Sequence, residues 1–123
     1  ATMSAFPNHT KQQLDAGKLA LGMGMRVMRS VDAGMIAKTT GFDWLFIDME
    51  HSSLDVDQAS QVALTATAMG VTPIVRVPGK EHHHASRLLD SGAQGITPWR
   101  ESIGIDMPDR QVATVFRDQD ERW

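Results

Sequence analysis

At 123 residues the chain fits one domain, by the usual prior of about 100–200 residues per domain. It is 41% hydrophobic and 22% charged with a formal charge of −3, a globular balance without the basic surplus that nucleic acid or an anionic membrane selects. Cysteine is absent, which excludes disulfides, thiol catalysis and thiolate metal sites and fits a reducing cytoplasmic setting.

In chain order, Asn8 to Gly17 reads as a short helix with Asn8 as N-cap and Gly17 as stop. Leu19 to Val27, "LALGMGMRV", is a strand whose glycines allow close packing; Gly22 and Gly24 do not form a nucleotide-binding glycine loop. "SVDAGMIAKTTG" is a second helix, with Ser30 as cap, Ala33, Met35, Ile36 and Ala37 as apolar bulk, and Gly41 as stop. "FDWLFIDMEHSSLD", Phe42 to Asp55, begins as a buried strand and runs into ionisable groups. Asp55 then caps a third helix, with Gln58 three residues on as in a capping box. Val56, Ala59, Val62, Ala63, Ala66 and Met69 form its apolar stripe, and Gly70 ends it. Val71 to Pro78 is a third strand, "EHHHASRLLDSG" a further helix ending at Gly92, and "AQGIT" a fourth strand. The eight methionines read as core fillers.

No apolar run approaches the roughly 18 residues of a membrane span, and the N-terminus lacks a signal-peptide core. The alternation is βαβαβαβ at roughly 25 residues per unit, which predicts a parallel sheet with crossover helices. Strands that read as apolar runs predict cover on both faces. A doubly wound sheet and a (β/α)₈ barrel both satisfy this pattern, and in either one ligands sit at the carboxyl ends of the strands.

That rule singles out Asp48, Glu50 and His51 after the second strand and Arg76 at the end of the third. An aspartate after a strand is often a turn residue, and a strand-end histidine is often structural. Arg76 is harder to dismiss, because it interrupts "IVRVP" and a buried guanidinium needs an anionic partner. A structural ion pair with Asp48 or Glu50 would satisfy it. If neighbouring strands bring the groups together, Asp48 and His51 suit a carboxylate-oriented general base, and Arg76 suits a stabiliser of a developing oxyanion. The adjacent His82, His83 and His84 point about 100° apart on a helix and cannot share one metal.

"GFDWLFIDMEHSSLD", "PIVRVP" and "LLDSGAQGI" resemble the HpcH/HpaI class II aldolase family over roughly residues 15 to 96. The resemblance implies the first half of a (β/α)₈ TIM barrel built of parallel βα repeats. It implies carbon–carbon lyases that cleave or form 4-hydroxy-2-oxo acids through a pyruvate-type enolate, with hydroxypyruvate- and pyruvate-using enzymes nearest. It also implies a divalent metal (Mg, Mn or Co), small 2-oxo-acid and aldehyde substrates, and neither nucleic acid nor membrane as partner. Asp48 matches the aspartate of the proton-transfer dyad and His51 the base. Arg76 matches the arginine that binds the 2-oxo group, and Glu50 has a supporting role at most.

After Ile96 the sequence departs from that pattern. Residues 1–96 form a partial barrel-like domain and 97–123 a divergent tail without the family's metal ligands, which lie in the missing half. Such a piece needs cover for its edges, from a homo-oligomer or a complementing chain; a catalytically inactive half-barrel acting only in assembly is the alternative function. Met107 to Trp123 reads as one helix, with Val112, Val115 and Phe116 on one face. Asp106, Asp109, Asp118, Asp120 and Glu121 read as a solvated acidic face.

Overall fold

The structure, a computed structural model, describes residues 6–78, 82–97 and 115–116. Its elements are α1 (His9–Asp15), β1 (Gly22–Met25), α2 (Asp32–Thr39), β2 (Trp44–Asp48), α3 (Val56–Ala68), β3 (Thr72–Arg76), α4 (His82–Asp90), β4 (Gly95–Thr97) and β5 (Val115–Phe116). The sheet order is β1-β2-β3-β4-β5. The first three pairings are parallel and β4–β5 is antiparallel. Consecutive strands that pair in sequence order, each after a crossover helix, give the winding of a barrel and not a doubly wound sheet.

Each helix ends the same way. Gly17, Gly41, Gly70 and Gly92 take φ of 72°, 87°, 77° and 118°, a left-handed conformation open to glycine at little cost. At Gly70 the reversed backbone lets the Gly70 amide reach Thr67 O (3.1 Å) and the Val71 amide reach Ala66 O (2.9 Å). This paired closure satisfies the last carbonyls of α3 and aims the chain at β3. At its other end α3 carries the predicted capping box, with Asp55 accepting from Gln58 N and Gln58 from Asp55 N. Asn8 caps α1 by accepting from Lys11 N. Ser30 does not cap α2 as expected: the cap position is Val31, and Ser30 Oγ accepts from the Asp32 amide one residue inside it.

Strand alternation divides the side chains between two faces. Met25, Leu45, Ile47, Val75 and Ile96 join Ala33, Ala37, Ala59, Val62, Ala63, Ala66 and Leu88 in one buried cluster. Alanines on the helices let their backbones approach the branched residues of the sheet. Burial of this face accounts for Ala33 and Ala37 in α2, whereas Met35 and Ile36 are exposed, against expectation. The methionines divide likewise: Met25 and Met49 are core, Met35 and Met69 are exposed.

The opposite face forms rows across the sheet. Gly22 pairs with Trp44 and Trp44 with Thr72; Gly24 with Phe46, Phe46 with Ile74 and Ile74 with Gly95; Asp48 with Arg76 and Arg76 with Thr97. Gly22 is required there, because a Cβ would stand 2.0 Å from the Trp44 indole. Trp44 and Phe46 stay partly exposed on this face while Thr72, Ile74, Gly95 and Thr97 are buried, so the predicted cover on both faces holds for β3 and β4 and not for β2. α1 closes the amino end of the sheet: the Thr10 amide donates to Thr72 Oγ1 (3.2 Å) and Asn8 Nδ2 to Gln94 O (3.1 Å).

The expected tail helix is contradicted at Val115 and Phe116, which form an antiparallel strand on β4. The open β4 edge offers a ladder of backbone donors and acceptors that a strand satisfies and a helix does not. The rest of that expected helix, and the five tail carboxylates, lie outside the described residues.

Candidate active site

The row Asp48–Arg76–Thr97 is the last before the strands give way to loops, at the carboxyl end of the sheet. Asp48 is 2% exposed and organises everything above it. Oδ1 accepts from Arg76 Nε (3.1 Å) and from the backbone amides of Glu50 and His51 (both 3.0 Å), while Oδ2 accepts from Arg76 Nη2 (2.5 Å). Ser52 Oγ donates back to the Asp48 carbonyl. One carboxylate therefore folds the 48–52 turn and clamps the neighbouring strand's arginine in a two-toothed pair.

The electrostatics follow from these contacts. Burial pushes the Asp48 carboxyl up, but the Arg76 hydrogen bond and charge and the two amides outweigh it and hold it below the ordinary carboxylate value. Arg76 is held above its usual value, first by the hydrogen bond to Asp48, against burial, with the charges of Asp48 and Glu50 adding. The Phe46 ring lies beneath the guanidinium, 5.4 Å from Cζ to centroid, a cation–π contact that fixes its plane. Nη1 has no acceptor among the described residues and remains available to a ligand.

His51 and Arg76 stand at one rim, as predicted. Together with Asp48, Phe46 and the β1 end (Gly24 to Met28) they line a pocket of about 540 Å³. The partner of the imidazole differs from the expectation. Asp48 takes the main-chain amide of His51, and the ring faces Glu50, with Nε2 3.3 Å from Oε1. A turn as short as Asp-x-x-His curls the His51 backbone onto the aspartate and leaves the ring pointing outward. Glu50 thus does more than expected, since its Oε2 also lies 3.3 Å from Arg76 Nε.

Arg26 was not singled out by the sequence reading. It lines the same pocket and donates from Nη2 to the His51 carbonyl (3.2 Å). Applying the strand-end rule to β1 as well as to β2 and β3 would have found it. Among the described residues no group of three or more His, Cys, Asp or Glu side chains is placed to hold a metal ion. Asp48 is fully engaged by donors, so the residues present do not fit a divalent-metal cage. The His83 and His84 ring centroids lie 4.2 Å apart with the planes tilted by 42°.

Sequential parallel βα units with a polar strand-end rim define the first half of a (β/α)₈ barrel. The family model for HpcH/HpaI aldolase/citrate lyase matches residues 28–99, and the chain belongs to that family. It is 38% identical over 95 residues to a 4-hydroxy-4-methyl-2-oxoglutarate aldolase of Hapsidospora irregularis, covering 76% of this chain and 35% of that one. It is 38% identical over 96 residues to a hydroxypyruvate/pyruvate aldolase of Paraburkholderia phytofirmans, covering 76% and 36%. The crystal structure of an HpcH/HpaI aldolase from Desulfitobacterium hafniense superposes with a TM-score of 0.67 at 29% identity, over 77% of this chain and 35% of that one. The chain spans about a third of the length of the curated relatives it matches. No helix among the described residues is long and apolar enough to cross a membrane.

Proposed function

We propose that this chain carries the proton-transfer and oxyanion-binding part of an aldolase that cleaves or forms 4-hydroxy-2-oxo acids. The observation that carries the reading is that His51, in the turn after β2, and Arg76, at the end of the adjacent parallel β3, line one pocket at the carboxyl end of the sheet. The names of the relatives, aldolases of 2-oxo acids, support the substrate class.

In the cleavage direction His51 takes the proton of the 4-hydroxyl. The O–H electrons form the aldehyde carbonyl, the C3–C4 bond breaks, and its electron pair becomes the enolate of the 2-oxo acid. Arg76, through Nη1, binds the 2-oxo acid and stabilises the enolate oxygen, a preorganised donor where charge develops. His51 is half-exposed and so can return the proton to C3. Asp48 is the positioning residue of this scheme, because it fixes Arg76 and the turn that carries His51.

The family's divalent ion (Mg, Mn or Co) is part of the proposal only as a group held by residues outside those described. A homo-oligomer or a complementing chain is the source proposed for them. The same reading divides the chain into a barrel piece, 1–96, that bears the site and a tail, 97–123, that adds β5 to its edge. A cytoplasmic setting fits the absence of cysteine.

The test is pyruvate release from a 4-hydroxy-2-oxo acid with manganese supplied. Removing a general base typically costs about 10²–10⁴-fold, and His51→Ala should fall in that range. Arg76→Ala should lose at least roughly 10²-fold, as for an oxyanion donor. A parent chain no faster than both variants would leave the alternative, a silent half-barrel that serves assembly.

A further inference from the structure

Among the described carboxylates, Glu50 alone lies within ion-pair range of the His51 ring. Asp48 gives its oxygens to Arg76 and to the main-chain amides of Glu50 and His51, and Arg26 meets the main-chain carbonyl of His51. Glu50 Oε1 lies 3.3 Å from His51 Nε2 and its Oε2 3.3 Å from Arg76 Nε. One carboxylate thus stands against both the base and the oxyanion donor. The Glu50 side chain is 9% exposed, and Oε2 is buried without a hydrogen bond among the described residues. A carboxylate kept so dry needs positive charge beside it, and the donors of Arg76 that face this way, Nε and Nη2, already serve Asp48.

That contact decides which nitrogen of the ring is the base. A neutral imidazole carries one proton, and the partner of one nitrogen sets the state of the other. A lone pair on Nε2 would face the Glu50 carboxylate and be repelled by it, whereas an N–H there is attracted. Nε2 therefore holds the proton, and the lone pair free to take another is that of Nδ1. Once Nδ1 is protonated the ring is a cation, and the Glu50 carboxylate 3.3 Å from Nε2 is its counter-charge. Asp48 does not serve there, because Arg76 already neutralises it.

We propose that Glu50 is a second positioning residue, acting on the His51 ring: it fixes the proton on Nε2, so that Nδ1 is the atom that takes and returns the proton of the reaction. This rests on the aldolase reading of the site and names the reacting atom within it. In cleavage Nδ1 takes the 4-hydroxyl proton, the O–H electrons close the aldehyde carbonyl, and the C3–C4 pair passes to the enolate. The proton on Nδ1 then goes to C3, and Nε2–H stays on the ring throughout.

Long-range proton–nitrogen NMR of the chain labelled at histidine reads the tautomer directly. It is recorded at about pH 8, above the usual imidazole value of about 6.5, with His51→Ala identifying the His51 signals. In the parent, Nε2 should be protonated and Nδ1 bare. Glu50→Gln keeps the shape and loses the charge; its amide can accept from Nε2–H or donate to an Nε2 lone pair, so both tautomers should appear while the backbone amide spectrum stays that of the folded parent. Glu50→Asp, with the charge on a shorter arm, should keep part of the bias. A parent with the proton on Nδ1, or a Glu50→Gln ring with the parent's tautomer, overturns the assignment of Glu50. In the manganese-supplied assay Glu50→Gln should also lose at least roughly tenfold in kcat, because a ring in the wrong tautomer does not accept the proton; an unchanged kcat overturns Nδ1 as the reacting atom. A parent with the expected tautomer and no pyruvate release overturns the aldolase reading instead, and leaves Glu50 as the residue that sets the ring.

Discussion

Replacing Asp48 by asparagine tests the centre of the site. The change keeps the side-chain shape and one acceptor for the Glu50 and His51 amides, but removes the charge that holds Arg76. Breaking a buried ion pair by deleting one partner costs about 3–5 kcal/mol. Arg76 is 20% exposed and keeps Glu50 at 3.3 Å, so partial solvation and a second anion reduce this to about 2–3 kcal/mol. For a domain of this size that is a fall in Tm of roughly 6–15 °C. The pH dependence gives a second signature. The folded Asp48 carboxyl ionises below its unfolded value, so its stabilisation is complete above about pH 4 and is lost as pH falls through the folded value. Urea denaturation from pH 7 down to pH 2 should show this acid limb in the parent and a shallower one in Asp48→Asn. A variant within about 0.5 kcal/mol of the parent at pH 7, or with the same acid limb, would refute the assignment of Asp48 as the clamp of Arg76.

Three further substitutions probe what positions the site. Gly22→Ala places a Cβ 2.0 Å from the Trp44 ring and should cost about 1–3 kcal/mol, with a shift in tryptophan emission; an unchanged melt and spectrum would contradict the close approach. Asp55→Ala deletes the acceptor for Gln58 N at 2.8 Å and should lower stability by about 1 kcal/mol, while Asp55→Asn should retain most of it, as equilibrium unfolding will show. Thr72→Val strands the Thr10 amide that donates to Thr72 Oγ1, at about 1–3 kcal/mol. Hydrogen exchange at Thr10 should speed up in that variant, and protection equal to the parent's would show that α1 is held by other contacts.

Local chemistry made much of this legible in the sequence. The α3 capping box needs only Asp55 and Gln58 at a fixed spacing, and the helix stops need only a glycine where the backbone must reverse. Arg76 announced itself because a guanidinium in an apolar strand must find an anion, and it found Asp48. What the sequence hid depends on direction. The partner of the His51 ring is set by how the 48–52 turn curls around Asp48, and four consecutive residues do not reveal that curl. Ser30 missed the cap position by one residue, and its hydroxyl accepts from the Asp32 amide from just outside the helix. Apolar runs in β2 and β3 suggested burial on both faces; β3 meets this, yet Trp44 and Phe46 of β2 stay partly exposed. At Val115 and Phe116 helical periodicity lost to an unfilled sheet edge, a tertiary demand no local pattern records.

The floor beneath the site has a consequence for how the chain is made. α1 leaves the ribosome before the strands it docks on, and Thr72 lies 62 residues downstream of Thr10 and the carbonyl of Gln94 lies 86 downstream of Asn8. Contacts that distant close slowly, and domains form as they are synthesised, amino end first. Full docking of this helix must therefore wait until β3 and β4 have emerged, although Thr10 Oγ1 can already reach the Asp43 carbonyl before β2. Its arrival bolts the sheet shut from below, so a helix translated before the strands settles only after them.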